Sequence, residues 1–463
     1  MIQVIIALLV IVVVARLILK GYKAEPVLFA AGLILMIVTM VFGWGSILPK
    51  NLKTTGISFF DPFEVMRDLF STRAADLGLM IMALMGFAHY MDHIGANKAV
   101  VRVATRPLKA LRSPYILLFF SFLLASVLQL AIPSATGLAV LLMGTMFPIM
   151  IGLGLSPASA AGVIATSLGV AYTPMAVDAI RATDAVGMGK DVVGYVISYQ
   201  GPAAIATVLA VGITHVFWQR HCDLKLGIVP DLGKEDEEGS KEKGAPGFYA
   251  LLPMLPIIMA IVFSKLFVKD INLDVVTIVL ICMFICMVIE TVRTLDFKQV
   301  CAGFNQFLKG MGSAFTGVVG LLVAAGVFAH GIKAIGAIEQ MISMAEHVGL
   351  PPFAMAIVFA IVTLAAAIIM GSGNAPFLAF VELIPQIAQS MGVNPVGMIL
   401  PMQQASHMGR AMSPVSGVII AVSSGAKLSP FDVVKRTAIP LLVGLVVHTL
   451  IVGIFFTGPI AAG

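Results

Sequence analysis

Apolar runs of about 20 residues, the length that crosses a bilayer core as a helix, recur along the chain between short polar stretches. In the first half they predict spans over roughly 2–19, 26–46, 75–96, 157–187 and 191–218. In the second half they predict roughly 248–268, 272–293, 310–336, 395–424 and 432–457. Between the third and fourth span of each half lies a longer apolar stretch, 114–155 and 352–391, broken in its middle by small polar residues. Each reads as a re-entrant helical hairpin that enters and leaves on one side. A transmembrane β-barrel would instead show ten-residue segments of alternating polarity. The N-terminal run lacks a small-residue cleavage site and is expected to stay as the first span.

The pattern repeats. "FAHYMDHIGA" (Phe87–Ala96) and "FAHGIKAIGA" (Phe328–Ala337) share the frame FAHxxxxIGA at an offset of 241 positions. Ser134 matches Ser372, Pro157 matches Pro395, Thr173-Pro174 matches Ser413-Pro414, and Asp191-Val-Val matches Asp432-Val-Val, all at offsets of 238 to 241. Five spans is an odd number, so two homologous halves must lie in the membrane with opposite orientation. The expected fold is therefore an all-α polytopic membrane protein of two inverted repeats, 1–218 and 248–463. Each has five transmembrane helices and one hairpin. Such repeats with interrupted helices point to secondary transport.

Composition agrees: 59% of the 463 residues are hydrophobic and only 11% are charged, too few for a soluble surface. The net charge of +5 has a topological reading, with no nucleic-acid partner implied. Arg16, Lys20 and Lys23, the basic segment 97–113, Arg293, Lys298 and Lys309, and Lys427, Lys435 and Arg436 all fall on the cytoplasmic side if both termini are periplasmic. The segment 219–247 reads as a charged cytoplasmic linker, and 337–351, with Glu339 and Glu346, falls outside. The loop 47–73 fits less well: it is external yet carries Lys50, Lys53, Arg67 and Arg73, offset by Asp61, Glu64 and Asp68. Cys222, Cys282, Cys286 and Cys301 show neither metal nor disulfide spacing and read as packing residues. There is no phosphate-binding G-x-x-x-x-G-K-[ST] loop and no H-E-x-x-H. No enzyme, energised pump or cofactor is expected.

The chemistry should sit where helices break, because irregular backbone at membrane depth must be buried in protein or line a cavity. "IPSATGLA" (Ile132–Ala139) and "MGSGNAPF" (Met370–Phe377) break the hairpins. Small residues there admit close backbone approach, and Ser, Thr and Asn supply hydrogen bonds. The second arm of each hairpin starts at the break, so its free N–H groups favour a carboxylate. Two tips meeting from opposite faces would suit a small molecule with two carboxylates. "AYTPMAVDAIR" (Ala171–Arg181) and "GRAMSPVSGV" (Gly409–Val418) break two spans at proline, freeing carbonyls that could coordinate a cation such as sodium or relay protons. A plain proline kink is the alternative. Arg410 stands beside the second break, with Gln403, Gln404 and His407 upstream. It could grip a carboxylate bidentately or serve a structural ion pair. Asp178 and Arg181, three residues apart, are expected to pair locally. Glu382 reads equally as a proton carrier or a satisfied core acid. His89 and His330 read as hydrogen-bonded core residues, with a transport role as the alternative.

"FAHYMDHIGANKAVV", "PSATGLAVLLMGTMFPIM", "HVFWQR" (His215–Arg220), "GSGNAPF" and "GRAMSPV" resemble the DcuC-type anaerobic C4-dicarboxylate carriers of bacteria over nearly the whole chain. The resemblance implies a dimeric inner-membrane carrier of succinate, fumarate, malate or similar dianions, working by efflux or exchange coupled to protons or sodium. It implies a scaffold domain and a mobile transport domain that moves as an elevator. Substrate-binding roles are then inherited by Ser134, Ala135, Thr136, Ser372, Gly373 and Asn374. The breaks and intramembrane charges read above add Gly137, Ala375 and Arg410 as substrate-binding candidates, and offer Thr173, Pro174, Asp178, Ser413, Pro414, Ser416 and Glu382 for ion coupling. Two places depart from the family pattern: Pro133 stands for a hairpin serine, and Met175 and Ala176 stand for hydroxyl residues of the first break. These leave room for another organic anion. A cation/proton antiporter on the same repeat, and a receptor or channel, are the other readings. The first would prefer carboxylates to the donor-rich tips; the second would carry a signalling domain or a charged pore ring.

Overall fold

The computed structural model describes residues 2–20, 22–49, 52–111, 113–227, 245–263, 273–336 and 351–457. The described residues fold into helices joined by short turns, and eight of the helical segments are long and apolar enough to cross a membrane. The chain is a multi-pass membrane protein. Helices α1 (Ile2–Leu19) and α2 (Ala24–Phe42) are followed by α3 (Asp61–Arg73), which runs through a π turn, Ala74–Gly78, into α4 (Leu79–His93). After α5 (Ala96–Ala104) come the hairpin arms α6 (Pro114–Ala131) and α7 (Ala135–Gly152). The broken span is α8 (Pro157–Ser167) and α9 (Val177–Ala185); α10 (Val192–Tyr195) leads through a second π turn into α11 (Gly201–Lys225).

The second half presents a similar order. It runs α12 (Leu255–Val262), α13 (Val275–Thr294), and α14 (Phe297–Ala314), with a π turn, Phe315–Val319, into α15 (Gly320–Ala334). The hairpin is α16 (Pro352–Met370) with α17 (Ala375–Val381) and α18 (Ile384–Ser390). The broken span is α19 (Val396–Ala411) and α20 (Gly417–Ala426), and α21 (Pro430–Phe455) follows.

The FAHxxxxIGA phrase is a helix stop. Its isoleucine is the C-cap of both α4 and α15, and the next residue, Gly95 or Gly336, has φ of +75° or +74°. A left-handed residue closes a helix end cheaply only without a Cβ, so the phrase is written wherever this long helix must turn.

Two boundaries differ from the sequence expectation. The spans at 75–96 and 310–336 are the later parts of longer helices that begin at Asp61 and Phe297. The linker does not begin at 219, because α11 continues to Lys225 with Gln219 and Asp223 buried. The reason is a partner: Arg436 Nη1 lies 2.8 Å from Asp223 Oδ1, and Ser156 and Ser159 donate to the same carboxylate at 2.9 and 2.7 Å. Arg436 is thus a buried tie between α8, α11 and α21, not a loop charge. The rest of the linker, residues 228–244, and Glu339 and Glu346 lie outside the described residues.

Two large apolar cores form. One gathers α1, α2, α4, α9, α13, α15 and the second hairpin; the other gathers the first hairpin, α8, α20 and α21. Helix α19 belongs to both, with Met398, Ile399 and Met402 in the first and Met408 and Ala411 in the second. It carries the polar residues of the candidate site along this seam.

Candidate functional site

The first hairpin turns through extended backbone at Ile132 and Ser134, and the Ser134 hydroxyl caps α7 by accepting the Gly137 N–H at 3.2 Å. The second turns at Gly371, whose φ is +66°, and the Ser372 hydroxyl accepts the Ala375 N–H at 3.2 Å. The tips converge. A Cβ placed on Gly371 would lie 3.0 Å from the backbone of Ser416, and one on Gly417 would lie 3.0 Å from the Thr136 hydroxyl. Both tips therefore rest on adjacent residues of the second helix break. One expectation needs correction here. The second arm of the second hairpin is two seven-residue pieces, α17 and α18, so its dipole is weaker than that of the 18-residue α7.

The two broken spans cross beside the tips. Local geometry is shared: Ala176 N–H bonds Thr173 O and Ser416 N–H bonds Ser413 O, both at 3.2 Å. Their extents differ. The first break leaves 168–176 without helix, the second only 412–416. The carbonyls freed in the first are taken up by side chains from α19. Arg410 Nη2 donates to Leu168 O at 2.6 Å, and Gln404 Nε2 donates to Gly169 O at 2.9 Å while its Oε1 accepts the Ala171 N–H at 3.3 Å. Ser406 donates to Gly373 O at 2.5 Å, tying α19 to the second tip. Gln403, Ser406, His407 and Arg410 follow helical spacing and form the polar stripe of α19.

Asp178 and Arg181 do not pair with each other, contrary to the sequence expectation. Asp178 is fully buried and accepts Gln403 Nε2 at 2.6 Å, with His407 Nε2 at 3.0 Å. Gln403 Oε1 in turn accepts the Tyr195 hydroxyl at 2.9 Å. Arg181 instead binds Asp184 and meets Glu382 Oε2 at 2.5 Å. Arg73, at the end of α3, joins the same cluster with Glu382 at 3.1 Å and Asp184 at 3.3 Å. The cause is orientation: Asp178 faces its partners on α19, whereas Arg181 faces Asp184 on its own helix and Glu382 just after α17. Glu382 thus sits as a satisfied acid between two arginines. Arg73 was missed because an amphipathic segment ahead of the apolar run reads as loop.

Arg410 has no carboxylate partner among the described residues, and its Nε is buried without a hydrogen bond. A Cβ on Gly373 would come within 3.1 Å of Arg410 Nη1 and 3.4 Å of His407 Nδ1, so the guanidinium lies against the bare tip. The Ser413 hydroxyl is buried and also unpartnered. Thr173 Oγ1 accepts the Met175 N–H at 3.3 Å, and Met175 itself packs into apolar core. An open cavity of about 590 Å³ reaches the second tip. Its lining includes Tyr22, Lys23 and Glu25 together with Ser372, Asn374, Ala375 and Val415. No metal-ligating cluster occurs among the described residues. His330 Nε2 is bonded to Ile47 O at 2.7 Å. His89 is exposed on α4.

Comparison with known proteins follows the same lines. Residues 2–457 match the model of the DcuC family, C4-dicarboxylate anaerobic carrier. The chain is similar to the anaerobic C4-dicarboxylate transporter DcuC of Escherichia coli (strain K12), 43% identical over all of this chain and 98% of that protein. It is also similar to the probable anaerobic C4-dicarboxylate transporter DcuC of Vibrio cholerae, 41% identical over all of this chain and 99% of that one. Among solved structures, the YdaH transporter of Alcanivorax borkumensis shares the fold, with a TM-score of 0.60 at 14% identity over 94% of this chain and 98% of that one.

Proposed function

The chain belongs to the DcuC family of C4-dicarboxylate anaerobic carriers, and from that premise we propose that it is a secondary carrier of C4-dicarboxylate dianions such as succinate, fumarate and malate. It works in the bacterial inner membrane by efflux or exchange, coupled to protons or sodium. It is not an enzyme. The observation that carries this reading is Arg410: a guanidinium whose Nε is buried, in no direct ion pair among the described residues, held against the Gly373 backbone where two hairpin tips meet.

A buried cation in no direct ion pair is costly, and an arriving carboxylate would relieve that cost. One carboxylate of the substrate docks on Arg410 and the second tip, Ser372 to Ala375. The other reaches the first tip, Ser134 to Gly137, at the N-terminus of the full-length α7. Ion coupling falls to the breaks, through Thr173, Pro174, Asp178, Ser413, Pro414 and Ser416. Glu382 serves it only indirectly, by holding α9 to the second hairpin. In this reading the halves are inverted repeats, and both termini are periplasmic. The tips ride in a mobile transport domain against a scaffold, as an elevator, within a homodimer. The repeated order of elements supports that arrangement. The cavity lined by Lys23 is the aqueous approach to the second tip from the cytoplasmic loop side.

The test is uptake of labelled succinate into proteoliposomes loaded with unlabelled fumarate, with and without a sodium gradient, for the native protein and Arg410→Ala. Uptake that needs internal fumarate and vanishes in the variant supports the reading. No uptake by folded native protein under any gradient sinks it.

A further inference from the structure

We propose that Arg73 is a positioning residue of the carrier: it clasps α9 and α17 to α3, and so holds the second tip at the spacing from the first break that substrate requires. The proposal rests on the carboxylate-binding reading given above and adds to it a residue that does not touch substrate.

Two short helices carry the candidate site at one end and an ion cluster at the other. Helix α9 starts at the first break, with Asp178 in its first turn, and has Asp184 in its last. Helix α17 starts at the second tip, and Glu382 is its C-cap. At nine and seven residues, each is short enough to move as one rigid piece. Arg181 already joins the two. It binds Asp184 on its own helix, while its Nε donates to Glu382 Oε1 at 2.9 Å and its Nη2 lies 2.5 Å from Oε2.

Arg73 joins them to a third element. Its Nη1 lies 3.3 Å from Asp184 Oδ2 and its Nη2 lies 3.1 Å from Glu382 Oε2, so one guanidinium spans both helix ends. It stands in the last turn of α3. That helix is anchored elsewhere: Val65 packs with Met36 of α2 and with Val323 and Val327 of α15, and Phe70 stacks on Phe29 of α2 at 5.5 Å between ring centroids. Without Arg73 the cluster sets one arginine against two carboxylates; with it the charges balance.

Exposure distinguishes the tie that can open from the one that stays. The Arg181 and Glu382 side chains are 4% and 10% exposed, whereas those of Arg73 and Asp184 are 23% and 34% exposed. Charges at membrane depth open onto water rather than lipid, so Arg73 and Asp184 form the wet edge of the cluster. A screened pair at such an edge separates at far lower cost than a buried one. The Arg181–Glu382 pair therefore keeps α9 and α17 together, and the Arg73 contacts are those that break and remake as the second tip moves against α3. Losing them lowers the share of molecules whose tip is in place, which weakens apparent affinity. The maximal rate should change little, because no group at the substrate is lost.

The experiment compares the native protein with Arg73→Gln, Arg73→Lys and Asp184→Asn. Deuterium uptake of the purified proteins without substrate is read first at the second tip, 370–377, with the first tip, 132–139, as internal control. Arg73→Gln is expected to take up deuterium about fivefold faster or more at the second tip, and to stay within about twofold of native at the first. In fumarate-loaded proteoliposomes it is expected to raise the KM for succinate about tenfold, with the maximal rate within about threefold of native. Arg73→Lys keeps the charge at the wet edge and should return the KM to within about threefold of native. An unchanged second tip or a KM for Arg73→Gln within about twofold of native overturns the proposal. Equal quickening at both tips also overturns it, since that marks a general loosening of the fold. If Arg73→Gln fails to fold, Asp184→Asn decides: it removes one of the two Arg73 contacts, and an unchanged second tip overturns the proposal. A native protein that exchanges no dicarboxylate defeats the underlying carrier reading, whereas deuterium uptake at the tips, measured without substrate, still tests the clasp.

Discussion

The two broken spans share a turn and divide the chemistry. Thr173-Pro174-Met175-Ala176 and Ser413-Pro414-Val415-Ser416 adopt the same backbone pattern, each closed by the same 3.2 Å hydrogen bond. The first span unwinds over nine residues and offers carbonyls and one buried carboxylate, with apolar Met175 packed away. The second unwinds over five, 412–416, and offers side chains: Gln403, Gln404, Ser406, His407 and Arg410 ahead of the break, and Ser416 after it. The difference teaches that a hydroxyl-poor first break is no defect. Its backbone is satisfied from the other half, so its own side chains are free to change. The asymmetry continues at the helices that restart: Ser416 caps α20 by accepting the Ile419 N–H at 3.2 Å, whereas Ala176 gives α9 no side-chain cap.

The sharpest way to break the comparison is to remove the side chain that serves both the first break and the second tip. Arg410→Ala is expected to lower initial succinate uptake by about a hundredfold or more, since truncating a buried charged contact costs about 2–5 kcal/mol. Arg410→Lys should recover little, because a point charge cannot reach Leu168 O and a carboxylate together. Gln404→Leu comes next. It strands the Gly169 carbonyl and the Ala171 N–H, and should destabilise the folded protein by about 1–3 kcal/mol, read as a lower thermal midpoint in detergent. Ser416→Ala removes a cap and should cost about 1 kcal/mol, in the same assay. The reverse change, Ala176→Ser, supplies the missing cap to α9. It should raise the midpoint slightly, by a few tenths of a kcal/mol to about 1, and leave uptake within about threefold of native. A large loss of uptake in Ala176→Ser would show that the first break contacts substrate after all.

What the sequence determined by itself was local. In hydrocarbon a helix satisfies its own backbone, so the apolar runs, the two hairpins and the proline breaks could be placed from pattern alone. The repeated glycine of FAHxxxxIGA marked two helix ends for the same reason: a left-handed residue is a requirement of its own turn. What only the tertiary structure decided was the choice of partners at the breaks. Asp178 takes Gln403 across 225 positions, Gln404 takes Gly169 across 235, and Arg410 takes Leu168 across 242. Local spacing suggested an Asp178–Arg181 pair, and packing overruled it. Groups freed from a helix must find whatever donor or acceptor the fold brings near, and no short-range pattern encodes that neighbour.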